Sequence, residues 1–70
     1  MRMTGRVLRF GMRGYGWALL DGTRNSVFFH IRDVRNHLCP QIGDRIEFNL
    51  EKSEKGLRAL DIELLSGVRL

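Results

Sequence analysis

One cysteine, no long apolar run, no repeat and no low-complexity tract are the first things to note about this 70-residue chain. Cys39 has no partner for an internal disulfide, which fits a reducing compartment, and the cytoplasm is the expected location. No apolar stretch approaches the roughly 20 residues needed to cross a bilayer. The opening "MRMTGRVLRFGM" carries early arginines without the apolar segment of a signal peptide, so secretion is not indicated. Linker-like composition is also missing. A chain this short buries only about 60% of the surface its unfolded form exposes. That allows one domain over residues 1–70, with a modest core from about 4 to 65 and no separate catalytic subdomain.

What is present is ordinary in amount and uneven in distribution. Apolar residues make up 43% and charged residues 29%, as in a folded soluble protein. The net charge is +4. Residues 1–35 hold seven arginines against Asp21 and Asp33, whereas residues 36–70 hold five cations against six acids. The basic half also contains Phe10, Tyr15, Trp17, Phe28 and Phe29, five of the six aromatics. Ten of the twelve cations are arginine, whose flat guanidinium both binds phosphate and stacks on rings. A polyanionic partner follows from this arrangement. By itself, a charge of +4 is equally explained by solubility.

Most of the short segments between glycines alternate with a period of two, which predicts strands. In "RIEFNLE", Ile46, Phe48 and Leu50 alternate with Glu47, Asn49 and Glu51, giving one buried and one wet face. After the turn "KSEKG", Leu57, Ala59, Ile62 and Leu64 continue the rhythm with a slip near Leu60, which predicts a bulge. Three strands are expected before these, over about 4–10, 15–20 and 26–31. "DGTRN" reads as the hairpin turn between the second and third. "RDVRNHLCPQIGD" is a longer connection that begins with a turn of 3₁₀ helix. Five short strands are too few for a two-sheet sandwich but enough to close a small all-β barrel, which removes exposed sheet edges.

Pairing the second and third strands sorts their side chains. One face gathers Ala18, Leu20, Val27, Phe29 and Ile31; the other gathers Tyr15, Trp17, Phe28 and His30. The aliphatic face is the better interior because it brings no polar group that would need a buried partner. The ringed face is therefore expected outside, flanked by Arg9, Arg13 and Arg24. An exposed aromatic cluster marks an interaction site. Rings beside arginines suit single-stranded nucleic acid, with bases stacked on the rings and cations on the phosphates. For Tyr15 or Trp17 singly, capping the core is as good an account. For all four rings it is a poor one, because Val27, Phe29 and Ile31 would then face solvent.

These residues resemble the cold-shock domain family. "RGYGW" is similar to its K-G-Y-G-F ribonucleoprotein motif and "VFFHI" to V-F-V-H-F. "GDRIEF" matches the start of the fourth strand, and "EKGLRALDI" resembles the K-G-x-x-A-x-x-V turn and last strand. The resemblance runs from about Thr4 to Leu64. It implies a five-stranded antiparallel OB-fold barrel that binds single-stranded RNA and DNA and melts or prevents base pairing without ATP. It further implies a stacking platform of Phe10, Tyr15, Trp17, Phe28 and His30. Arg13 would stand for a phosphate-contacting lysine, and Lys55 and Arg58 would lie in the contact-making turn of the last two strands. The chain departs from the family pattern in "GRVLRFG", where Leu8 replaces a lysine and Arg9 stands at the place of a stacking tryptophan. Ile31 replaces the Phe after the His, and the long loop offers His37 where a Phe is usual. With three rings missing, the expectation is binding that is weaker or tuned to a different strand.

Other chemistry finds little footing. Ser26 and His30 lie four apart on one strand, about 13 Å between Cα atoms at 3.3 Å per residue, too far for a hydrogen bond. His30, His37 and Cys39 fit no common zinc spacing and lack a fourth ligand. The residues therefore predict no enzyme, no cofactor, no metal, no small-molecule substrate and no membrane partner. The function they predict is single-strand nucleic-acid binding, as an RNA chaperone or a regulator of RNA structure or transcription, by a monomer or weak dimer. The alternative is a protein-interaction module that uses the same barrel.

Overall fold

A computed structural model describes residues 2–65, apart from the side chain of His37. Five strands are present: β1 (Arg2–Phe10), β2 (Tyr15–Leu20), β3 (Ser26–His30), β4 (Arg45–Ser53) and β5 (Gly56–Leu64). The expected boundaries hold within two residues for all five strands. Between β3 and β4 lie two 3₁₀ turns, Ile31–Asp33 and Arg35–His37, the first where the sequence predicted one. The strands close into a barrel in the order β1-β2-β3-β5-β4, with β4 returning to β1. Among the described residues, no helix is long and apolar enough to cross a membrane.

One expectation needs correcting. The barrel is not wholly antiparallel, because β3 and β5 run parallel where they meet at Phe28 and Arg58. Consecutive strands joined by tight turns must pair antiparallel. The seam between β3 and β5 is instead reached through the long connection and β4, so its direction is set by the closure of the barrel. A further parallel bridge joins Val34 to Ile62 along the same seam.

The core consists of alternate residues from every strand. Val7, Ala18, Leu20, Val27, Phe29, Val34, Ile46, Phe48, Ala59 and Ile62 form one buried cluster. The aliphatic face of the β2–β3 hairpin is inside, as the alternation predicts. Ile31 is the exception: it leaves the strand to start the first 3₁₀ turn and is only half-buried. The hairpin turn carries Gly22 at φ 78°, and Thr23 Oγ1 donates to the Leu20 carbonyl while accepting from the Asn25 amide.

Two bulges shape the barrel. On β5, Asp61 and Ile62 lie opposite the single residue Phe48, and Asp61 takes a positive φ of 51°. This is the slip expected near Leu60. The second bulge was not expected. On β1, Val7 pairs with Ala18 but Arg9 pairs with Trp17, so Leu8 is an extra residue with no partner on β2. Such an insertion reverses the faces of the residues that follow it. Arg9 turns outward and Phe10 turns inward to stack on Phe29, with centroids 5.9 Å apart and planes within 7°. Gly16 makes room for this turn: a Cβ there would strike the Arg9 carbonyl and lie 3.0 Å from Phe29 Cζ.

Candidate nucleic-acid interface

The strand registers assemble the outer face row by row. Arg9 on β1 pairs with Trp17 on β2, Trp17 with Phe28 on β3, and Phe28 with Arg58 on β5. Paired residues share a face, with Cβ atoms roughly 5 Å apart. A single row thus reads arginine, tryptophan, phenylalanine, arginine around the barrel. Beside it Tyr15 pairs with His30. The rings pack on one another: Phe28 lies 5.5 Å from Trp17 in an edge-to-face arrangement and 5.8 Å from Tyr15 at a tilt of 33°. Tyr15 and Trp17 each keep 40% of their surface open, and Phe28 between them is half-buried. The four rings therefore face outward together, and the core explanation for them does not hold.

Trp17 stands between two grooves. The first, about 380 Å³, is lined by Trp17, Phe28, Ser53, Lys55, Leu57 and Arg58. The second, about 260 Å³, is lined by Arg9, Phe10, Met12, Arg13, Tyr15 and Trp17. Together they form a track from the β1–β2 turn to the β4–β5 turn. Of the nine residues singled out in the sequence, eight line one groove or the other. The ninth, His30, adjoins them through Tyr15. Its Nδ1 accepts a hydrogen bond of 3.1 Å from the Arg32 amide, so in the neutral ring the proton is on Nε2.

Two details differ from the sequence expectation. Phe10 is not a member of the outer rows; it closes one end of the core against Phe29 and shows part of its surface to the second groove. Arg24 sits in the turn at the other end of the β2–β3 hairpin and lines neither groove. The side chain of His37, offered in place of a family Phe, lies outside the described residues. Asp33 and Met12 were missed. Asp33 accepts a hydrogen bond of 3.1 Å from Arg58 Nη2, tying the first 3₁₀ turn to the row of rings. That pairing spans 25 positions and has no local sequence signal. Met12 is fully exposed beside Arg13, and the glycines flanking this turn in "GMRG" were the only hint of its display.

Charge is divided between two parts of the surface. Asp21 takes a bidentate contact from Arg45 (2.5 and 3.2 Å) and a 2.7 Å hydrogen bond from Thr4. These hold its carboxyl below the ordinary carboxylate range, the Thr4 bond contributing most. Arg35 grips Asp61 through Nε and Nη2 at 2.8 and 2.9 Å and reaches Glu63 at 2.8 Å, while Arg2 joins Asp61 to Glu47. The bond from Arg35 depresses the Asp61 carboxyl, and that carboxylate in turn raises the Arg35 guanidinium further above its usual value. Among the described residues, Arg9, Arg13 and Lys55 around the grooves make no ion pair. Asp21, Asp61 and Glu63 are thus matched away from the rings and Asp33 is matched to Arg58 beside them, which leaves Arg9, Arg13 and Lys55 available. No cluster of three or more His, Cys, Asp or Glu among the described residues could hold a metal.

No family model matches the chain, and no curated protein does either. Among solved structures it is similar to "drosophila Unr CSD456", cold-shock domains 4 to 6 of that protein, with a TM-score of 0.79 and 24% identity. The match covers 100% of this chain and 29% of that one, so the chain spans less than a third of its structural neighbour. The likeness is one of fold, and the fold is that of a cold-shock domain.

Proposed function

We propose that this cold-shock-type barrel binds single-stranded RNA and DNA along the two grooves that meet at Trp17. The observation that carries the reading is the row Arg9–Trp17–Phe28–Arg58, in which two packed rings lie between two guanidinium groups on a rigid sheet. Rings offer stacking to any base, and unpaired cations at both ends of the track offer contacts to phosphate. The bases held this way have their faces covered and cannot rejoin a duplex. The protein would therefore act as an RNA chaperone or a regulator of RNA structure or transcription, without ATP and as a cytoplasmic monomer or weak dimer. The one hydroxyl lining the first groove, Ser53, is tied to the Gly56 carbonyl and the Lys55 amide, and the reading is one of binding rather than catalysis.

Trp17 is the only tryptophan, which makes the test direct. Its fluorescence should be quenched by a heptamer of thymidine or uridine at low salt. A hairpin with a fluorophore and quencher at its ends should open when the protein is added without nucleotide. An unchanged Trp17 spectrum with micromolar oligomer would count against nucleic-acid binding and in favour of a protein-docking role for the same face.

A further inference from the structure

Resting on the single-strand reading above, we infer that Arg9 makes the groove between β1 and β2 select guanine, rather than accept all bases through stacking alone. The bulge at Leu8 carries the inference. Gly5 and Val7 are buried, so plain alternation along β1 would bury Arg9 as well. The extra residue reverses the strand after Val7 and sets Arg9 in register with Trp17 on the outer face. Bulges beside binding sites commonly re-aim a side chain in this way.

Arg9 is exposed, and among the described residues it makes no ion pair and no stacking contact with a ring. Its guanidinium is therefore unoccupied beside the most exposed part of the platform. The two other groove arginines are placed differently. Arg58 has Nη2 committed to Asp33 and its Nε buried, so less of its fork is open to a ligand. Arg13 lies in the turn between β1 and β2, off the sheet, where it suits a phosphate. Arg9 alone combines a rigid strand position with a free fork.

Arginine has only donors, arranged in a planar fork. It is matched by two adjacent acceptors, which guanine presents as O6 and N7. Adenine puts an amino group beside N7, and thymine offers O4 beside a methyl group, so neither completes the pair. A base lying on Trp17 presents its edge to the neighbour in the same row, roughly 5 Å away at Cβ. For a guanine, that edge meets the fork of Arg9. Such a bidentate contact distinguishes bases by about 5- to 150-fold. An arginine in place of a platform ring thus exchanges sequence-tolerant stacking for a hydrogen-bonded choice of base.

The test is a scan in which one guanosine replaces each position of a thymidine heptamer in turn, read by quenching of Trp17. At one position the affinity should rise about fivefold or more, and 7-deazaguanosine there should remove the gain, because it lacks N7 but keeps the ring. Arg9→Lys retains the charge without the fork, so the ratio of guanosine-containing to plain strand should fall toward one, whatever shift the plain strand shows. Equal affinity for every strand in the scan would overturn the inference and leave single-strand binding standing. So would a gain retained by 7-deazaguanosine, or an equal gain from a single cytidine. Failure of every oligomer to quench Trp17 would instead overturn the single-strand reading from which the inference starts.

Discussion

Phe28 and Phe29 are neighbours in sequence on opposite sides of the barrel wall, and exchanging each for alanine separates binding from folding. Phe29 is 0% exposed, stacks on Phe10 and lies in the centre of the core. Removing a buried phenylalanine costs about 3–5 kcal/mol. A 70-residue domain has roughly 4–10 kcal/mol of stability in total, so Phe29→Ala should leave it marginal or unfolded at 25 °C. Phe28 is half-buried and packs against Trp17 and Tyr15 without entering the core. Losing two aromatic contacts of about 0.5–1.5 kcal/mol each means that Phe28→Ala costs about 1–3 kcal/mol, which a stable domain tolerates. Its affinity for a thymidine heptamer should fall by about 1–3 kcal/mol, the measure of one stacked base. Urea unfolding followed by circular dichroism gives the first pair of numbers, and Trp17 quenching gives the second. Phe29→Leu, which leaves a smaller cavity, keeps the core arm measurable if the alanine variant does not fold. A larger loss of stability for Phe28→Ala than for Phe29→Ala would refute the assignment of the two faces. Unchanged affinity in a folded Phe28→Ala would remove that ring from the platform.

Gly16→Ala should lower the melting temperature by roughly 5–20 °C, since the new methyl meets the Arg9 carbonyl and Phe29, a clash worth about 1–3 kcal/mol in a domain of this size; a shift under 2 °C in a thermal scan would mean that β1 and β2 approach less closely. Arg13→Ala and Lys55→Ala should each flatten the dependence of log affinity on log salt by about 0.7, one phosphate on a single strand, whereas Arg24→Ala, outside both grooves, should not change the slope. The depressed carboxyls of Asp21 and Asp61 stabilise the fold above their unfolded pKa of about 3.9, and that contribution disappears as pH falls through their lower folded values. Urea midpoints should therefore be flat from pH 7 to 5 and fall below about pH 4, and Asp21→Asn should lose its disadvantage against the parent in the same range.

The sequence was most informative where chemistry repeats at short range. In "RIEFNLE" the inward and outward residues differ in polarity, so Ile46 and Phe48 could be placed in the core without knowing their neighbours. The hairpin "YGWALLDGTRNSVFFH" adds a turn of fixed length, and a fixed turn sets the register. That is why Tyr15, Trp17, Phe28 and His30 could be placed on one face in advance, although the pairs Trp17–Phe28 and Tyr15–His30 come from the structure. The parallel seam of β3 and β5 depends on how the whole barrel closes, a long-range property with no local pattern. The contact between Arg58 and Asp33 is hidden for the same reason.

The bulge at Leu8 is the instructive case, because its signal was present in "GRVLRFG" and open to two readings. Val7, Leu8 and Phe10 give no clean alternation, and either Arg9 or Phe10 could face outward. What decides is the neighbouring strand. Gly16 offers no side chain opposite Phe10, so an inward Phe10 finds space to stack on Phe29. Filling that space buries a ring, whereas burying Arg9 would place an unpaired guanidinium in an apolar core at a cost of several kcal/mol. Core packing and charge solvation therefore favour the same register, and the arginine reaches the outer face as a consequence of how the phenylalanine is accommodated. The position proposed to choose the base in the second groove is thus placed by a glycine on the next strand. A change at Gly16 should alter base selection at Arg9 as well as stability, although Gly16 itself has no side chain to touch a base.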